Sequence, residues 1–297
     1  MQKNIICFLT ASPSKEFYKI CKDLKRTNID MYICVDNNKH EIPEYDGKIP
    51  IIKIDNKICE SAGFKNSVAY FKNRACSRDK ALYYFSKKNM NYDNVWFIEE
   101  DVLVPHRLTI EKIDEKYEAC NADLLCTSNI VTSYKQTEND WFWWPLVNRE
   151  IKLDPPYGRS MICAIRVSKK LIKAISAYAD KYNSLFMDEV LFNTIAIHEN
   201  LEIKTISELS TIYYKNNWKM EDIKKTNLYH PIKNHNTQRD FRKFKIKKKL
   251  VDSSAIDKIP TTGKIPTTGK IPTTDKQINP IVNSLPKEID SNIQKLK

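Results

Sequence analysis

The sequence predicts an α/β fold: a Rossmann-type, mostly parallel central sheet flanked by helices, then a more irregular half and a disordered C-terminal tail. Three observations carry this. Residues 4–35 read as strand, helix and strand, the unit that joins parallel neighbours. Residues 95–104 set two apolar runs around three consecutive carboxylates, and the first run has the composition of a strand buried on both faces. From Lys258 the hexad Lys-Ile-Pro-Thr-Thr-Gly recurs, and its proline and glycine suit neither a helix nor a central strand.

Asn4 to Thr10 is the first strand. Ser14 caps a helix whose Phe17, Ile20, Cys21 and Leu24 recur at helical spacing. Ile29 to Val35 makes a second strand and Ile49 to Ile54 a third. A long helix is expected from Asn66 to Lys88, with Ala75, Leu82 and Phe85 on one face and Arg74, Arg78 and Lys80 about one turn apart. The central strand then runs from Val95 into Glu99-Glu100-Asp101. An amphipathic helix over Leu108–Cys120 and a strand over Ala122–Cys126 follow.

Beyond residue 130 the alternation weakens. Trp141-Phe142-Trp143-Trp144 holds three of the five tryptophans; at least two are expected to pack in the core, although flat aromatic faces in a cleft also suit sugar rings. A strand over Ser160–Arg166, a Ser168-capped helix to Ala179, a helix from Phe186 and short strands between 203 and 214 complete the folded part. The expected domain spans 1–238, divided near 130 into two halves (1–130 and 131–238). A basic segment at 239–250 and a disordered tail at 251–297 lie outside it.

Across 297 residues, 41% are hydrophobic and 29% charged, enough for a real core. No GxGxxG follows the first strand and no GxxxxGK[ST] occurs, which excludes a dinucleotide fingerprint and a P-loop. No apolar run approaches a bilayer span and no leader precedes the first strand, so a cytoplasmic protein is expected. The eight cysteines form no CxxC pair, and several sit in apolar runs. They read as small buried hydrophobes in a reducing compartment rather than a disulfide frame or zinc site. The net charge of +12 gathers late: residues 239–249 hold seven basic residues against one acidic, interleaved with Phe241 and Phe244. That pattern suits an anionic surface, lipid or nucleic acid.

Three carboxylates at one strand end repel one another, so holding them together must gain something. Open α/β sheets bind ligands at this edge, and a hard divalent cation is the simplest answer. A solvated acidic turn is the other.

Phe97-Ile98-Glu99-Glu100-Asp101, between an N-terminal β-α-β half and a later acidic helix start, resembles the DxD motif of GT-A glycosyltransferases, with Glu in the first acidic place. The resemblance covers about residues 3–235. It implies a GT-A-like fold and a nucleotide-sugar donor, most simply a UDP-sugar. It further implies a manganese or magnesium ion, and a glycan or protein hydroxyl as acceptor. Thr10, Ala11 and Asp36 would hold the nucleotide, and Arg78 and Lys80 would face the donor. Asp101 would bind the metal, Glu99 the metal or the ribose, and Glu100 would turn into the sheet or toward a cation. His230 would add to the metal shell with Lys233 beside the diphosphate, and His235 is a weaker substitute. Asp188-Glu189 resembles the acidic helix start that supplies the catalytic base in inverting members.

The chemistry needs these residue types. A departing diphosphate must be neutralised, and an attacking hydroxyl must lose its proton to a carboxylate. Asp188 and Glu189 at a first helical turn also suit the macrodipole without any catalytic role. Two other readings stay open: a nucleic-acid-binding protein working through 239–249, and a nucleotidyltransferase on a similar fold.

Overall fold

The computed structural model describes residues 2–39, 49–68, 73–134, 140–215 and 217–243. The chain divides into two units, Met1–Ile246 and Lys247–Lys297. The second, with the whole repeat tail, lies outside the described residues, as do residues 244–250 of the basic segment.

Strand β1 (Asn4–Thr10), helix α1 (Lys15–Leu24) and strand β2 (Asp30–Val35) form the expected β-α-β unit with parallel strands. Ser14 Oγ accepts from the Phe17 amide at 3.1 Å and caps α1, whose apolar face is buried. Strand β3 (Ile51–Lys53) and a short α2 (Asn56–Ser61), capped by Asp55, come next. The long helix expected from Asn66 does not form. Asn66 and Asn73 take positive φ angles of 69° and 55°, a left-handed geometry that asparagine tolerates and helices do not continue through. Helix α3 therefore occupies only Ser77–Lys87.

Strand β4 (Asn94–Glu99), helix α4 (Thr109–Lys116) and strand β5 (Leu124–Cys126) complete the first half. The second half contains β6 (Ile130–Thr132), α5 (Trp144–Glu150), β7 (Tyr157–Arg159), β8 (Ala164–Ser168) and α6 (Lys169–Tyr182). It ends with α7 (Asp188–His198), β9 (Ile203–Thr205) and α8 (His235–Lys243).

The main sheet runs β3-β2-β1-β4-β8-β5-β9, and β6 pairs separately with β7. The first four strands are parallel, and β8 runs antiparallel to both its neighbours. Strand β4 lies at the centre, and Val95, Trp96, Phe97 and Ile98 are all fully buried, as a continuous apolar run requires. Phe97 faces a core built with α3, α6 and α7, while Trp96 and Ile98 face one built with α1 and α4. Of the clustered indoles, Trp144 is buried, and Trp141 and Trp143 are half-buried against the first of these cores.

Helix α8 crosses the boundary expected at 238. Its His235 Nδ1 meets Ser14 Oγ at 2.9 Å, and its ring lies 5.2 Å from that of Phe17. Arg242 donates to the Ile20 carbonyl at 3.2 Å. Residues 235–243 thus pack on α1, and Arg242 is turned inward rather than offered to an anionic partner. No helix among the described residues is long and apolar enough to cross a membrane.

Candidate functional site

Strands β1, β2 and β4 run parallel, so their C-terminal ends share one edge of the sheet. The chain leaves β4 at Glu99 and turns at once, with the Glu100 amide held by the Leu9 carbonyl and the Val102 amide by that of Glu99, each at 3.0 Å. Glu99 ends the strand and Glu100 and Asp101 sit on the turn after it, so the extended segment does not run through all three acids, and each finds its own partner. Glu99 takes Arg78 Nη2 at 2.5 Å. Glu100 Oε2 accepts from Thr10 Oγ1 at 2.5 Å, while burial pushes its carboxyl up. Asp101 Oδ2 lies 3.6 Å from His230 Nε2.

Arg78 departs from its expected role. It is buried, and besides Glu99 it reaches Asp188 Oδ2 at 3.1 Å and the Ile162 carbonyl at 3.0 Å. Burial opposes its charge, yet Asp188 and Glu99 outweigh that and hold the guanidinium above its ordinary value. Such a fork suits two carboxylates from different elements. It is a bridge inside the protein, from the end of β4 to the start of α7.

Lys80 departs likewise. It is fully buried, donating to the Asp36 carbonyl and, at 2.6 Å, to Asn38 Oδ1. It braces the end of β2 from beneath. The Asp36 amide bonds to the Thr10 carbonyl and the Asn37 amide to that of Ala11, both at 2.9 Å, so the ends of β1 and β2 form one rigid lip. The Asp36 side chain keeps 28% exposure, with its carboxyl raised by burial against the pull of Lys80. Ala11 is exposed at the surface of that lip, and Lys233 is exposed beyond His230.

Asp188 and Glu189 open α7, with Met187 as the N-cap residue rather than Asp188. Asp188 Oδ1 accepts from the Glu189 amide at 2.9 Å while Oδ2 holds Arg78. Burial pushes its carboxyl up to about 8, with Arg78 acting the other way. Burial also pushes the half-buried Glu189 up to about 7, against Arg159 and reinforced by Glu99. Arg159, from β7, stacks on Trp141 at 5.0 Å.

His230 is buried behind a cis peptide to Pro231, with the exposed Tyr214 ring 5.3 Å away. Its Nδ1, like Asp101 Oδ1, is buried without a hydrogen-bond partner. One ligand atom each from Glu99, Cys163 and His230 lie within 4.8 Å of one another, so these residues fit a divalent cation. His235, held by Ser14, takes no part. Cys163, Arg159 and Tyr214 are invisible as site residues in the sequence. No motif marks them, and only strand pairing and the return of the chain after β9 deliver them here.

No family model matches the chain, and no curated protein matches it. Solved structures do show similarity. A galactosyltransferase, LgtC, in complex with donor and acceptor sugar analogs is similar over 80% of this chain and 95% of its own, at 9% identity and a TM-score of 0.43. Mouse xyloside xylosyltransferase 1 in its apo form is similar over 77% of this chain and 97% of its own, at 10% identity and a TM-score of 0.41. A 4-diphosphocytidyl-2C-methyl-D-erythritol synthase from Anaerococcus prevotii is similar over 69% of this chain and 88% of its own, at 12% identity and a TM-score of 0.37. At this level of likeness, what the site does must be read from its own side chains.

Proposed function

We propose that this protein is a cation-dependent glycosyltransferase, moving a sugar from a nucleotide-diphosphate sugar, most simply a UDP-sugar, to a hydroxyl of a glycan or protein. The observation that supports this best is the meeting of Glu99, Asp101 and His230 at the C-terminal edge of the central strand, with Asp101 Oδ1 and His230 Nδ1 buried and unpartnered. Buried polar atoms are rarely left so, and a bound ligand accounts for both. A manganese or magnesium ion there would neutralise the departing diphosphate.

The chain's own residues supply the rest. Thr10, Ala11 and Asp36 form the lip against which a nucleoside would lie, with Glu100 fixing Thr10 and Lys80 fixing Asp36 from below. Lys233 is an exposed cation on the His230 side, placed to approach a phosphate. Glu189 is the base: its carboxyl sits near neutrality and takes the acceptor's proton, whereas Asp188 is occupied with Arg78. The acceptor would come from the Arg159 side, where a cavity of about 310 Å³ is lined by Ile130, Tyr134, Trp144 and Arg159.

Manganese with UDP should raise the melting temperature by mass action. Asp101→Ala should abolish both that shift and donor hydrolysis while leaving the circular dichroism spectrum unchanged. Full hydrolysis by Asp101→Ala would remove the cation from this reading.

A further inference from the structure

We infer that Cys163 is itself a ligand of the cation, which makes the centre a mixed carboxylate, thiolate and imidazole site selective for zinc-like ions over magnesium. This rests on the proposed reading that a cation binds beside Glu99 and His230, and it replaces the manganese or magnesium named there with a softer ion. The placement follows from the sheet. Strand β8 pairs with β4 with Ala164 opposite Ile98, so the next position sets Cys163 opposite Glu99, and the Glu99 amide donates to the Cys163 carbonyl at 2.9 Å. Directly opposed residues on antiparallel strands are close neighbours and put their side chains on the same face of the sheet.

His230 approaches from a separate segment, tied to the sheet region by the Ile232 amide bonded to the Asp101 carbonyl at 2.7 Å. The three ligand atoms then lie within 4.8 Å of one another, and this is the one such cluster among the described residues. The other seven cysteines stay out of it. Its chemistry is unlike an all-oxygen site. Magnesium prefers octahedral oxygen and keeps its waters, whereas sulfur and imidazole suit zinc and cobalt. A serine at 163 would serve magnesium equally well, so the sulfur makes a difference only if the ion is softer.

The test uses cobalt as the probe on the full chain. Cobalt bound through sulfur gives an intense thiolate-to-metal charge-transfer band in the near ultraviolet, absent when only oxygen and nitrogen bind. One equivalent of cobalt should produce this band. Cys163→Ser should abolish it while still binding cobalt, and Cys120→Ser should keep it. Zinc should raise the melting temperature more than magnesium, and Cys163→Ser should narrow that gap. Cobalt bound with no charge-transfer band in the unaltered protein overturns the thiolate assignment, whatever the variants do, and leaves the cation reading standing. Failure of cobalt, zinc, manganese and magnesium all to bind overturns both.

Discussion

The acidic cluster has two flanks built from the same residue types, and they end in opposite electrostatic states. On one flank Glu99 and Asp188, from β4 and α7, close on the buried Arg78, which also donates through Nη1 to the Ile162 carbonyl. On the other, Asp101 and His230 approach only to 3.6 Å, each leaves a buried atom unpartnered, and Glu189 stands half-buried with its carboxyl near neutrality. Burial alone therefore does not mark the working residues, since Arg78 and Lys80 are among the most buried charges in the molecule. Glu99 belongs to both flanks: Arg78 holds one of its oxygens, and its carboxylate still reaches the cluster with Cys163 and His230.

The largest effect is expected at Glu189. Glu189→Gln should lower turnover by about 10²–10⁴-fold, the usual worth of a general base. On the proposed function, kcat/KM of the unaltered protein should rise with pH and level off above about 7, where the carboxyl is ionised. Stability should move the other way. The folded state holds this proton more tightly than the unfolded chain, whose carboxyl titrates near 4.5. The stability present below pH 4.5 is lost as pH rises through about 7. Glu189→Gln should therefore raise the melting temperature of the metal-free protein more at pH 8 than at pH 5. A variant with full turnover would pass the base to another group.

Next comes Arg78→Met, which leaves two carboxylates facing each other without their cation. Breaking such a buried pair costs about 3–5 kcal/mol, read as a lower denaturation midpoint. Adding Asp188→Asn should recover part of that loss. Native stability with weakened donor binding would return Arg78 to the donor-facing role that its sequence position suggests.

These residues also show how far the sequence can be read. Strand β4 is legible because four large apolar residues in a row can satisfy burial on both faces only inside a sheet, and α1 because Ser14 and the apolar face behind it agree. Arg78 misleads because a helical cation looks the same whether it meets solvent or carboxylates from two distant elements. The break before α3 escapes notice because asparagine, unlike glycine or proline, only sometimes adopts the left-handed turn seen at Asn66 and Asn73. Cys163 is hidden by the register of an antiparallel strand, and register is settled by pairing rather than by local composition. Helix α8 looks like a charged handle, since composition cannot say that Arg242 finds the Ile20 carbonyl.

The smaller effects concern α8, which ties together the two chain segments of the second flank, beside Asp101 and beside His230. Buried Gln238 donates to the Glu100 carbonyl at 2.8 Å and the Ile232 carbonyl at 2.9 Å, linking the chain beside Asp101 to the chain beside His230. Gln238→Ala should cost about 1–3 kcal/mol in stability by leaving buried carbonyls unsatisfied, and it should weaken cation affinity as well. Ser14 separates docking from site geometry. Its hydroxyl oxygen caps α1 and meets His235, yet it touches neither Glu100 nor Ile232. Ser14→Ala should cost about 1 kcal/mol, the worth of a cap, with cation affinity unchanged in a calorimetric titration. A matching fall in affinity would mean that the seat of α8 on α1, and not the Gln238 tie alone, sets the distance between Asp101 and His230.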